Sequence, residues 1–483
     1  MTGAFLDALA RVTGDEALVR DPLERLTYEC DGLTHLRQVP AAVVLPASAS
    51  EVQQIVRLCH RAQVPFVARG HGTGLSGGAL PVEGGIVIAL SRMARILAFD
   101  PASAQITVEP GVPNLDVSRH VAAFGLYYAP DPSSQQVCSI GGNIAENSGG
   151  AHCLKYGFTV HHVIAADVVL PDGDLVSIGG AAPDLPGYDL LSLVIGSEGT
   201  LGIVTRATLR LLRRPEAVRT LLAGFETTDA AGAAVSAIIA AGIVPAAIEM
   251  MDRLTIEAAE AAVHPGFPAA DAVLIVEIDG ARVEVDAHFA AVLDICRQCG
   301  AEALQLARDE ADRARIWKGR KAAFAAMGRV SPSYYVQDGV IPRTTLADVL
   351  RRIRDLERRS GLRIGNVFHA GDGNLHPLIC YDEAVPGQAA LAESVAAEIL
   401  GYCVEAGGSI TGEHGVGADK AKHMPRMFGP ADLETMQLVR CAFDPSGICN
   451  PGKVLPTPRL CGETPGAYRR HPLERVGIAE RRP

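Results

Sequence analysis

Two short segments carry side chains that could bind a divalent cation and place a base beside it. They are His369-Ala370-Gly371-Asp372-Gly373-Asn374-Leu375-His376 and Gly412-Glu413-His414-Gly415. Imidazole nitrogens and a carboxylate are ordinary ligands of zinc, iron or manganese, and a further imidazole beside them can accept a proton. Asn366-Val367-Phe368 and Pro377-Leu378-Ile379-Cys380 read as short strands around a four-residue hairpin loop, Gly371–Asn374. That register sets Ala370 opposite Leu375 and His369 opposite His376. Directly opposed side chains share a face with Cβ atoms roughly 4.5–5.5 Å apart, near enough to hold one ion. For the histidine pair alone, a hairpin with two satisfied polar side chains is the plainer reading. The Glu-His dipeptide between glycines turns the balance toward a metal. In an extended strand, however, Glu413 and His414 point to opposite faces. Both reach one ligand only if the flanking glycines bend the backbone.

The chain must be large enough to position these groups, and it is. Its 483 residues, 48% of them hydrophobic, predict two or three domains. A net charge of −11 gives no basic footprint for nucleic acid and disfavours anionic membrane surfaces. No apolar run approaches the roughly 18–20 residues that span a bilayer, so direct membrane insertion is not expected. The opening Met1-Thr2-Gly3-Ala4-Phe5-Leu6-Asp7 lacks the basic start and long apolar run of a signal peptide. Eleven scattered cysteines suggest reduced thiols and a cytoplasmic protein. Cys296 and Cys299 fall on a helical pattern that ends at Gly300, a structural pair rather than half of a metal site.

Along the chain, residues 1–40 read as a polar, partly helical lead-in. From Ala41 a strand, a helix with Ser50 as N-cap, and a further strand follow, then several strands up to Leu175–Ile178. Near Leu211–Pro215 the glycine-rich character stops. Residues 216–455 alternate strand and helix patterns and carry both metal-type segments. Residues 456–483 read as a polar tail.

The glycine-rich half contains four small-residue loops: Ala68–Ala79, Pro130–Ser134, Ser139–Gly150 and Ile195–Thr205. Dense glycine lets successive backbone N–H groups converge on an anion. The first loop is neither a Walker A sequence nor a dinucleotide fingerprint, because no Lys-Ser/Thr follows its glycines and no clear helix succeeds it. Together, in this order and with the two metal-type segments, the loops resemble those of the vanillyl-alcohol-oxidase/p-cresol-methylhydroxylase flavoproteins. Across about residues 38–455 the chain is most similar to the branch holding the FAD-linked subunits of bacterial glycolate oxidases and the D-2-hydroxyacid (D-lactate) dehydrogenases.

The resemblance implies an α+β protein: a bilobed FAD-binding domain over 41–215, then an α+β substrate-capping domain over 216–455. It implies FAD with its pyrophosphate on Arg69, Gly70, Gly72, Thr73, Gly74, Leu75, Ser76 and Gly77. Pro130, Asp131, Ser133 and Ser134 would wrap the flavin and adenosine, with Ser139, Gly141, Gly142, Asn143, Asn147 and Gly149. Glu198, Gly199, Gly202 and Ile203 would complete the wrap, and Asn450 would close it. Thr73 stands where some relatives carry a flavin-tethering histidine, so FAD is expected to be non-covalent. His369, His376 and Glu413 become ligands of a divalent metal (Zn, Fe or Mn), His414 the base, and Arg320 the clamp for the substrate carboxylate. Asn374 would orient the substrate or serve the turn. At positions where dicarboxylate-using relatives place polar groups, this chain has Phe324 and Tyr335, which favours a small 2-hydroxyacid such as glycolate or D-lactate.

The expected activity is thus FAD- and metal-dependent oxidation of a 2-hydroxyacid to the 2-oxoacid. Partners implied by the resemblance are a second flavin-related subunit and an iron–sulfur subunit, which could hold the protein peripherally at an inner membrane. Alternatives are a larger 2-hydroxyacid substrate, or a flavin-free metallohydrolase built on His369, His376 and Glu413.

Overall fold

A computed structural model describes residues 1–182 and 186–456; most of the expected polar tail lies outside them. The first lobe is a sheet of Leu18–Val19, Ala42–Val44, Ile86–Ala89 and Phe66–Arg69, in that order, whose last three strands run parallel. Helix Ala49–Ala62 covers it, burying Val52, Ile55, Val56 and Cys59 at helical spacing. Its N-cap is Ser48, not Ser50. The Ser48 hydroxyl accepts from Glu51 N (3.2 Å) and Glu51 reaches back to Ala47 N (2.9 Å), a capping arrangement shifted by one residue. The lead-in is built into this lobe: Phe5, Leu9 and Leu18 join its core.

The second lobe is an antiparallel sheet of Ile96–Asp100, Gln105–Val108, Ile203–Arg210, Val163–Val169 and Leu175–Gly179. Between the lobes, Ile140–Glu146 forms a two-turn helix where a loop was expected. Ser139 caps it by accepting from Gly142 N (3.2 Å), and Asn147 ends it in the left-handed region (φ 50°).

The rest of the chain builds a sheet of eight strands, seven of them in the path Ala301–Leu306, Ala217–Phe225, Ala272–Gly280, Ala247–Asp252, Ile364–His369, Asn374–Tyr381 and Ser333–Val336. Gly339–Val340 also pairs with Asn374–Tyr381. Neighbouring residues feed opposite cores: Leu221 and Leu274 face one, Leu222 and Val273 the other. Burial on both faces explains the near-continuous apolar strands. Segment Ile448–Asn450 returns to the first lobe, where Phe66 N donates to Ile448 O (2.9 Å) and Phe66 O accepts from Asn450 N (2.8 Å).

One buried network joins the halves. His152 Nδ1 meets Asp131 at 2.8 Å and its Nε2 lies 3.3 Å from Glu277. Glu277 also accepts from Thr220 (2.7 Å), from Arg313 through two N–H groups (2.8 and 2.9 Å) and from the sole tryptophan, Trp317 (2.8 Å). Burial disfavours charge on His152, but the two carboxylates outweigh it and push its pKa up to about 10. Among the described residues nine cysteines, Cys296 and Cys299 among them, are free thiols.

Candidate functional site

The hairpin forms, but with its register moved by two residues. His369 pairs with Asn374 and Val367 with His376, and the loop is Ala370–Gly373. Gly373 sets this register: it takes φ 84°, which favours glycine, and donates its N–H to His369 O (3.1 Å). Asp372 supports the turn by accepting from Asn374 N (3.1 Å). A two-residue shift preserves strand parity. His369 and His376 therefore still share a face, as diagonal neighbours with ring centroids 5.0 Å apart. Asn374 heads a strand rather than sitting in the loop, and its buried Oδ1 has no hydrogen-bond partner.

Glu413 arrives from the second segment. Its Oε1 lies 3.3 Å from His369 Nε2 and 3.1 Å from His376 Nε2. One ligand atom from each of the three residues falls within 4.8 Å of the others. The His376 contact lacks hydrogen-bond geometry and leaves that buried nitrogen without a donor or acceptor, as suits an atom aimed at an ion rather than at Glu413. Behind the cluster, His369 Nδ1 meets Glu249 Oε1 at 2.8 Å, the carboxylate support commonly found behind a metal-binding imidazole. Burial opposes a charged His369, yet Glu249 and Glu413 hold its pKa well above the usual histidine range. The pocket between these acids is tuned for positive charge, which a proton or a cation can supply. Asp338, His376 and His414 form a second grouping of the same size. There the carboxylate is already engaged by backbone N–H groups and Lys420, so the first set is the better donor set for a metal.

Arg320 lies underneath, only 2% exposed, and its Nε donates to Glu249 Oε2 (2.7 Å). Expected as the clamp of a substrate carboxylate, it forms an Arg320–Glu249–His369 chain and does not itself line the cavity. His414 closes the cluster, stacked on His376 at 4.9 Å with its Nε2 3.6 Å from Glu413. Burial lowers its pKa to about 4, a shift that nearby Asp338 only partly offsets. His414 is neutral at physiological pH and able to accept a proton.

Of these groups, Glu413 and His414 line a cavity of about 650 Å³ among the glycine-rich segments, while His369, His376 and Arg320 do not. Arg69, Gly70, Gly72, Thr73, Gly74 and Leu75 line it, as do Ser133, Ser134, Ser139, Gly141, Gly142, Asn143 and Gly149. So do Glu198, Gly199, Gly202 and Ile203, with Glu413 and His414. Six expected cofactor residues do not line it. Ser76, Gly77 and Pro130 lie behind the wall; Asp131 belongs to the His152 network; Asn147 caps Val160 N (2.9 Å). Asn450 binds Gly78 O (2.9 Å) and Glu198 O (2.6 Å), tying two loops together from behind. Tyr335 also faces away, bonded to Asp419 and packed on His35, while Tyr334 and Val336 meet the cavity. Phe324 lines it beside His376, at 5.8 Å.

Sequence reading missed Glu146, Lys321 and Gly32–His35, which also line the cavity. Glu146 is displayed by the short helix; burial and then neighbouring Glu198 push its carboxyl well above the usual range. Burial likewise raises Glu198 to about 7.

A volume of this size suits a large organic cofactor. Its glycine and serine wall admits close backbone approach, so the residues fit FAD, and the three-ligand set, which reaches the cavity through Glu413, fits a divalent cation.

Residues 40–179 match the family described as FAD binding domain, and residues 214–454 match FAD linked oxidases, C-terminal domain. The chain is 49% identical over 471 residues to the glycolate oxidase subunit GlcD of Escherichia coli (strain K12), spanning 97% of this chain and 94% of that protein. It is 40% identical over 450 residues to the Bacillus subtilis (strain 168) subunit of the same name, spanning 93% and 96%. To the D-lactate dehydrogenase of Anaerostipes hadrus it is 32% identical over 464 residues, spanning 94% and 98%. Among solved structures, 4-ethylphenol oxidase from Gulosibacter chungangensis superposes with a TM-score of 0.79 at 20% identity, covering 94% and 96% of the two chains. p-Cresol methylhydroxylase gives 0.75 at 15%, covering 93% and 96%. Those two likenesses concern the fold.

Proposed function

The chain belongs to the FAD-linked oxidases of the glycolate-oxidase and D-lactate-dehydrogenase type, and on that footing we propose that it oxidises glycolate or D-lactate where Glu413 and His414 line the cavity, with His369 and His376 held against Glu413. This is a FAD-dependent enzyme of small 2-hydroxyacids. The proposed site is marked by convergence: three ligand-type side chains and a neutral imidazole meet where Glu413 and His414 line the cavity.

Oxidation at C2 removes the hydroxyl proton and the C2 hydrogen with its electron pair, leaving C=O. FAD supplies the hydride acceptor, and a divalent cation on His369, His376 and Glu413 supplies positive charge near the substrate's carboxylate and hydroxyl. The protein does the rest. His414 takes the hydroxyl proton on its neutral imidazole. Glu249 orients His369 through Nδ1, leaving Nε2 free for the ligand role. Arg320 fixes Glu249 and contributes guanidinium charge beneath the substrate. Phe324 fills space that a longer acid would need and offers no partner to a second carboxylate. A flavin-free hydrolase would leave the glycine-lined cavity without a purpose.

The relatives named as oxidase subunits support reading this chain as one component of an assembly that receives the electrons. In the proposal its partners are a second flavin-related subunit and an iron–sulfur subunit. No helix among the described residues is long and apolar enough to cross a membrane. A cytoplasmic protein held at a membrane only by its partners fits this reading.

A substrate panel with an artificial dye acceptor tests the specificity. Glycolate or D-lactate should turn over well and D-2-hydroxyglutarate poorly; preference for the dicarboxylate would overturn the role given to Phe324. Arg320→Lys should lower kcat/KM by about 10–150-fold with flavin absorbance unchanged, since an ammonium cannot replace the guanidinium fork and a charge-assisted bond contributes about 1.5–3 kcal/mol. Kinetics within about twofold of the parent would make Arg320 only a packing partner of Glu249.

A further inference from the structure

Glu413 and His414 are adjacent in sequence, yet both side chains reach the same cluster. Extended backbone forbids this. The cause is visible in the backbone N–H groups, which curl around Asp338. Its Oδ2 accepts from Gly412 N (3.0 Å) and His414 N (2.9 Å), while its Oδ1 accepts from Glu413 N (3.2 Å). The Thr411 hydroxyl (2.6 Å) and Lys420 Nζ (3.1 Å) complete the shell. Successive N–H groups converging on one anion make a nest, a concave turn that an extended strand cannot form. Here the anion is a side chain of the protein itself.

Asp338 is fully buried, and so is Lys420 beside it. A buried carboxylate is retained where it is paired and hydrogen-bonded. From the other side, Glu198 accepts from Val416 N (2.6 Å) and Gly417 N (2.7 Å). Two carboxylates, one from each half of the molecule, thus hold five of the six amides from Gly412 to Gly417. Asp338 does not line the cavity, and its carboxylate is already saturated.

We infer that Asp338 is the positioning residue of the site: it folds the 411–415 turn so that Glu413 and His414 face one point, with Lys420 as its counter-charge. The inference rests on the ligand and base roles proposed above for Glu413 and His414. Its structural half, the folding of the turn, does not.

Asp338→Asn in the full-length, FAD-loaded protein tests it. The amide keeps the shape but presents N–H groups where an oxygen accepts, and it leaves Lys420 uncompensated. Hydrogen–deuterium exchange at Gly412, Glu413 and His414 should quicken by about tenfold or more, the worth of one lost charge-assisted bond. Exchange in the 364–381 hairpin and flavin absorbance should stay as in the parent, while kcat falls by about tenfold or more. Thr411→Val, which deletes one donor to Asp338, should move the same amides in the same direction to a smaller extent; it carries the test if Asp338→Asn loses its flavin. Unchanged exchange at the three amides in a flavin-loaded variant would overturn the inference, and so would faster exchange with kcat unaltered. Should His369→Ala and His376→Ala both keep metal and turnover, the metal reading fails while the exchange result still decides the role of Asp338 in the turn.

Discussion

Replacing His414 by Ala should leave a yellow protein that barely reacts. The imidazole is neutral because burial lowers its pKa to about 4, it stacks on His376, and it shares the cavity end with Glu413. Its loss removes the proton acceptor without touching the loops that surround the cofactor. Flavin reduction by substrate should slow by roughly 10²–10⁴-fold, the usual worth of a positioned base. Metal content should persist, because the donor set preferred above does not include His414. Anaerobic stopped-flow bleaching of the flavin, run beside metal analysis, reads both. If the variant loses its metal, His414 is a ligand; if reduction stays fast with metal retained, it is neither ligand nor base.

The second large effect belongs to His369→Ala and His376→Ala. Each removes one of three donors, and His369→Ala also leaves Glu249 and Glu413 with no positive charge between them. Both variants should lose bound metal and nearly all turnover while keeping FAD, since neither histidine lines the cofactor cavity. Elemental analysis beside the flavin spectrum checks this. Unchanged metal content with full turnover in both would sink the ligand assignment.

Much of this site was legible in the sequence, and the gaps have physical causes. The hairpin was visible from glycines between apolar runs. Its register was not, because Gly371 and Gly373 could each close a four-residue turn, and only the positive φ of Gly373 decides between them. The conclusion survived because a two-residue slip keeps side chains on their face. Tyr335 was assigned to the substrate, but in Tyr334-Tyr335 either residue can face inward, and alternation gave the cavity to Tyr334. Asp131 was read as part of a flavin loop; its partner His152 is distant enough in sequence that no local pattern reveals the pair. Arg320 stood out only as a clamp for the substrate carboxylate; its burial and its bond to Glu249, 71 residues away, were invisible. Asp338 left a faint trace. Lys is rare in this chain, six of its 44 basic residues, and Lys420 proves to be buried against that carboxylate. Contacts made across the sheet, rather than along it, are what the sequence concealed.

Bound flavin should accept electrons from a small 2-hydroxyacid at the His414 end of the cavity. The direct test is anaerobic addition of glycolate or D-lactate to the purified, metal-replete protein while the flavin band near about 450 nm is followed. The band should bleach with one of these acids, and the corresponding 2-oxoacid should form in equal amount. A protein that carries flavin and metal, yet keeps its colour with both acids, would contradict it.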